Sequence, residues 1–188
     1  QQVRRVEQEK KVVDTFDTNQ AKLSLGLRVT QEVPYADLLV ANSIWGSGPH
    51  SKLFNNVREK LSLAYYAFSR LERYKGTVLV GMGIEPQNYQ KALDETLLQL
   101  QNVQEGKIAE NEFASAKAFL INMLQSQKDS QYQMIDFSLG ALMTGSSDDI
   151  DTLCEKVQAV TMEGAAAAAR ALALDTIYFL TSRDSAAV

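Results

Sequence analysis

Apolar and polar positions alternate strictly between Gln20 and Thr30, with Leu23, Leu25, Leu27 and Val29 on one side and Ser24, Gly26, Arg28 and Thr30 on the other. A period of two predicts a strand with one face on a core and the other polar. Pro34 then stands where the first turn of a helix tolerates a missing N–H, and Tyr35, Leu38, Leu39, Asn42 and Trp45 recur at helical spacing until Gly46. Leu53, Phe54, Val57 and Leu61 predict a second short helix ending near Lys60. Ala64 to Glu72 and Thr77 to Ile84 read as neighbouring antiparallel strands joined around Lys75 and Gly76. Gly81 and Gly83 fall opposite Val78, Val80, Met82 and Ile84, a placement that predicts close approach by something packed above the sheet.

From Pro86 the period changes to 3.6, and Tyr89, Ala92, Leu93, Thr96, Leu97, Leu100 and Val103 make one stripe that stops at Gly106. A long helix is predicted from Ala109 through Phe113, Ala116, Leu120, Met123 and Leu124, past Gln131 to Leu142. Asp148 or Asp149 caps the next helix, whose core face is Ile150, Leu153, Val157 and Val160. The run Ala165 to Ala173, after Thr161, favours helix by propensity, and Thr176 to Thr181 closes the chain as a buried strand. Helices interleaved with antiparallel strands predict an α+β fold, a two-layer sandwich with helices on one face of an antiparallel sheet. Residues 1–19 are expected to be the linker tail of a preceding domain, and residues 20–188 one domain without internal repeats.

Composition narrows the function classes. A net charge of −4 and a pI near 5.1 oppose a nucleic-acid surface, which needs clustered Lys and Arg. The basic runs Arg4-Arg5 and Lys10-Lys11 are diluted by Glu7 and Glu9 and read as a solvated leader. No apolar run approaches the roughly 20 residues of a membrane span, and no signal-peptide core is present. The chain has one cysteine and one histidine. An internal disulfide is therefore impossible, which fits a cytoplasmic location, and no multi-ligand His/Cys metal site can form. Cys154 shares a helical core spacing with Ile150 and Val157 and reads as a buried structural thiol; His50 reads as a loop residue.

The candidate chemistry lies between Gly46 and Leu71, GSGPHSKLFNNVREKLSLAYYAFSRL. Arg58 falls in the last turn of the short helix and Tyr65 at the start of the next strand, so their side chains can converge from one junction. A guanidinium offers forked donors and a phenol one more, a set suited to gripping a peptide carbonyl or stabilising an oxyanion. By spacing alone the plainer alternative stands beside it: Arg58 pairs with Glu59 or Glu72, and Tyr65 packs in the sheet.

The same stretch resembles the C-terminal-half signature of the insulinase/pitrilysin family of zinc peptidases. A Gly-rich turn, a small residue, a basic residue, Leu-Phe, Arg-Glu-Lys, a short turn and Ala-Tyr appear here as Gly46, Gly48, Ser51, Lys52, Leu53, Phe54, Arg58, Glu59, Lys60, Ala64 and Tyr65. The similarity covers roughly residues 20–182, including the Ala-Glu-Asn-Glu-Phe opening of the long helix. It implies an α+β half of a clamshell in which Arg58 and Tyr65 hold substrate backbone across a cleft from zinc. Two departures stand out. The family's H-x-x-E-H zinc motif cannot occur in a chain with one histidine, and Ser62 stands where relatives often have Gly.

The resemblance therefore implies a C-terminal, zinc-less domain that orients peptide substrate and assists metalloendopeptidase proteolysis, inactive alone. Its expected partners are a peptide and a zinc-bearing homologous domain or subunit, paired as a dimer; this chain itself is expected to carry no metal and no cofactor. The alternative is a catalytically inactive scaffold or binding subunit with the same fold, and a third reading is an unrelated binding module.

Overall fold

A computed structural model describes residue 3 and residues 5–183. Arg4 of the basic leader, and the ends of the expected segments 1–19 and 20–188 at residues 1, 2 and 184–188, lie outside the described residues. The strands are β1 (Lys10–Thr15), β2 (Ala21–Val29), β3 (Ala64–Glu72), β4 (Thr77–Ile84) and β5 (Leu172–Thr181). The α-helices are α1 (Tyr35–Gly46), α2 (Tyr89–Gln104), α3 (Glu110–Ser126), α4 (Gln131–Thr144), α5 (Ile150–Ala159) and α6 (Met162–Arg170). One sheet runs in the order β1-β5-β2-β4-β3. All its pairs are antiparallel except β1 with β5, which is parallel.

Helices cover one face of this sheet. Leu23, Leu25, Leu27 and Val29 of β2 are fully buried beneath them with Val78, Val80, Met82 and Ile84 of β4, while Ser24, Gly26 and Arg28 between the β2 residues are half-buried and Lys22 before them is exposed. Trp45 and Leu38 of α1, Ala92 and Val103 of α2, Leu120 and Leu124 of α3 and the alanines of α6 complete that layer. Burying one such Leu or Ile side chain is worth about 1.5–3 kcal/mol. Among the described residues, no helix is long and apolar enough to cross a membrane.

The expected close approach at the β4 glycines is real, and its source is the same sheet. A Cβ on Gly81 would meet the Phe68 ring at 2.7 Å, and one on Gly83 the Tyr66 ring at 2.5 Å. The two rings stack along β3 with centroids 6.1 Å apart and cover the glycines from the helix-free face.

Four elements depart from the sequence reading. Lys10–Thr15, within the expected linker, is an edge strand exposed along its whole length; its one-sided pairing leaves no buried face to write a hydrophobic pattern. The long helix is broken, because Ser130 adopts extended φ −124°, ψ 114° and its side chain accepts from the Gln133 N–H, starting α4 afresh. The final strand begins at Leu172, so Ala173 pairs with Arg28 and leaves the alanine helix, which ends at Arg170. Sheet pairing here overrides helix propensity. Fourth, the short helix Leu53–Lys60 is a π-helix. Of the two cap candidates, Asp149 accepts from the Thr152 N–H at 2.8 Å, and Asp148 instead receives Lys156.

Candidate functional site

The Gly-rich turn after α1 is fixed by contacts that tolerate little else. A Cβ on Gly46 would lie 2.5 Å from Ser69 Oγ and 2.7 Å from Leu53 Cδ1. Gly48 has φ 104°, the left-handed region that favours glycine. Lys52, 7% exposed, donates to both carboxylate oxygens of Glu112 at 3.1 and 2.9 Å. Glu112 in turn accepts from the Ala109 N–H at 3.0 Å, so one carboxylate caps α3 and anchors the turn. That double duty gives the opening of α3 its physical role.

From this anchor the chain enters the π-helix, which carries Arg58 in its last turn. Its closure is wide: Leu61 N–H reaches Asn56 O at 3.1 Å and Leu63 N–H reaches Val57 O at 2.9 Å. Such turns are rare and concentrate at functional sites. Ser62 follows with φ 49°, an uncommon value for a residue with a side chain. On β3, Ala64 pairs with Ile84 and Tyr66 with Gly83, which leaves Tyr65 as the extra residue of a bulge. Tyr65 is consequently 54% exposed rather than packed in the sheet.

The structure brings Arg58 and Tyr65 to one place. Arg58 Nε donates to the Tyr65 backbone carbonyl at 3.0 Å, and the guanidinium lies 4.7 Å from the Phe54 ring centroid. Its Nη1 is 3.2 Å from Glu59, the surface pairing that the sequence left open as an alternative. Both side chains line a cavity of about 400 Å³ with Glu59, Ser62, Leu63, Ala64, Glu85 and Asn88. Glu85 and Asn88 were not singled out from sequence. Their signal was the register: Glu85 directly follows Ile84, the partner of Ala64.

His50 and Cys154 lie elsewhere. His50 Nε2 is 3.1 Å from Ser43 Oγ, and the ring leans on Phe119 with centroids 5.2 Å apart. Burial lowers its pKa, against the opposing pull of Ser43 and the Glu112 carboxylate. Cys154 is buried in α5 and its thiol is pushed up by desolvation. Zinc, which the family resemblance raises, does not fit these residues: among the described residues no three of His, Cys, Asp or Glu are grouped to hold a metal ion.

Comparison with known proteins decides the family. Residues 1–120 match the family model described as the peptidase M16 inactive domain. The chain belongs to that family. This M16 inactive domain is 36% identical over 182 residues to YmfF of Bacillus subtilis (strain 168), described as a probable inactive metalloprotease, covering 95% of the chain and 43% of YmfF. It is 30% identical over 162 residues to the uncharacterized zinc protease YmxG of the same organism, covering 83% of the chain and 39% of YmxG. The crystal structure of a conserved protein from Enterococcus faecalis V583 superposes with a TM-score of 0.83 at 32% identity, over 97% of the chain and 44% of that protein. The M16 inactive domain thus spans less than half the length of these relatives, and its α+β fold is theirs.

Proposed function

We propose that this M16 inactive domain orients a peptide for proteolysis whose zinc is supplied by another domain of the same polypeptide or by a partner subunit, the two homologous units pairing as a dimer. One observation carries the reading: an exposed bulge tyrosine and a π-helix arginine line the same cavity. The Arg58 guanidinium and the Tyr65 hydroxyl, both in the cavity lining, are donors for a peptide carbonyl oxygen. As that oxygen gains negative charge, donors already held in place strengthen their bonds without reorganising, which is where such groups accelerate reaction. The Nε bond to the Tyr65 carbonyl ties the Arg58 side chain to the Tyr65 backbone, so the pair acts as a unit.

The test is made in the assembled, zinc-bearing protein with Arg58→Lys and Tyr65→Phe. Each should lower peptide turnover by about 10²-fold, the cost of losing one oxyanion donor, with an unchanged thermal midpoint. The description of YmfF as inactive favours a second reading, a scaffold or binding subunit with the same fold. Turnover that both variants leave unchanged would select the scaffold.

A further inference from the structure

Glu85 is a half-buried carboxylate in the wall of the Arg58–Tyr65 cavity. Among the described residues it has neither a hydrogen-bond nor an ion-pair partner for its side chain. The other acid of the cavity, Glu59, is already paired with Arg58. Glu85 is also firmly placed. It follows the last residue of β4 and precedes Pro86, whose ring holds it extended at φ −74°, ψ 141°, and its carbonyl accepts the Asn88 N–H at 2.9 Å. The cavity therefore presents one guanidinium against two carboxylates, one of them unspent.

We infer that Glu85 selects a cationic group on the bound peptide, so that the preferred ligand carries a Lys or Arg side chain, or a free α-amino group, near the carbonyl held by Arg58 and Tyr65. This rests on the reading of that cavity as a peptide site. The physical case is one of matching charge. Once a peptide carbonyl engages Arg58, Glu85 remains a partly desolvated anion, and a cation beside it regains the interaction while a neutral or acidic side chain does not. A pair of this exposure discriminates by up to about 5-fold. Asn88, on the turn that follows, offers an amide beside the same group.

The experiment measures equilibrium binding of fluorescent peptides to the assembled protein with its zinc chelated, so that the readout is independent of turnover. Matched peptides place Lys or norleucine at each position around one carbonyl, each with a free or acetylated N-terminus. The wild type should bind a cationic peptide about 3- to 5-fold tighter than its neutral match. Glu85→Gln should erase that ratio, Glu85→Lys should invert it, and raised salt should shrink it. If acetylation alone removes the preference, the selected cation is the α-amino group; if only the Lys replacement does, it is the side chain. A ratio that Glu85→Gln leaves intact, or the absence of any preference in the wild type, overturns the assignment. Those results leave the Arg58 and Tyr65 turnover test standing, and a failure of that test leaves the binding ratio to be judged by itself.

Discussion

Ser62 sits at φ 49° in the link between the π-helix and β3, and it is exposed. An L-residue in that region costs roughly 1–2 kcal/mol, because its Cβ crowds the following carbonyl. Glycine would remove the clash but adds about 0.5–1 kcal/mol of unfolded-state freedom to be lost. The balance predicts that Ser62→Gly stabilises the chain by about 0.5–1 kcal/mol, read as a higher urea midpoint with unchanged slope. Trp45, the one tryptophan and fully buried, supplies the fluorescence signal. A lower midpoint would mean that the strained serine is held by something its backbone geometry does not reveal. Ser62 also shows what residue identity can and cannot say. Arg58 and Tyr65 were legible because their motif is written contiguously, whereas Glu85 reaches the same cavity only through the pairing of Ala64 with Ile84, a relation between distant residues.

The elements most legible in the sequence are those with one buried face. β2 and β4 were read to within a residue or two because burial on one side enforces the alternation, and α1, α2 and α5 because their stripes meet the core. β1 and the break before α4 were opaque for the opposite reason: neither β1 nor α4 contains a buried residue, and the break depends on one serine hydroxyl. The π-helix shares its apolar spacing with an α-helix over so short a run. The Gly-rich turn adds a pH dependence at this scale. His50 is the only histidine, and burial holds its pKa below the ordinary value of 6.5. The unfolded chain therefore takes up the proton first as pH falls. The stability that neutral His50 contributes is complete above about pH 6.5 and is lost as pH drops through that value toward the lowered folded one. Unfolding measured between pH 7.5 and 5.5 should show declining stability for the wild type and a flatter profile for His50→Gln. Equal slopes would assign the titration to another group.

At the scale of the whole molecule, the decisive feature is how little this chain offers a transition metal. Zinc sites draw on Cys, His and carboxylates, usually four ligands in structural sites and three plus water in catalytic ones. Here the single histidine contacts Ser43, the single cysteine is buried with its thiol pushed up, which disfavours the ligating thiolate, and no three candidate ligands come together among the described residues. The prediction is that the 188-residue chain, dialysed after exposure to zinc, retains far less than one equivalent by elemental analysis. A chelator should then leave its thermal midpoint unchanged, since a ligand at 100 times its dissociation constant would add about 2.7 kcal/mol of stability. In the assembled protein the same chelator should stop peptide turnover while this domain stays folded. One tightly held equivalent of zinc in the chain alone would remove the need for a zinc-bearing partner and, with it, the division of labour proposed for Arg58 and Tyr65.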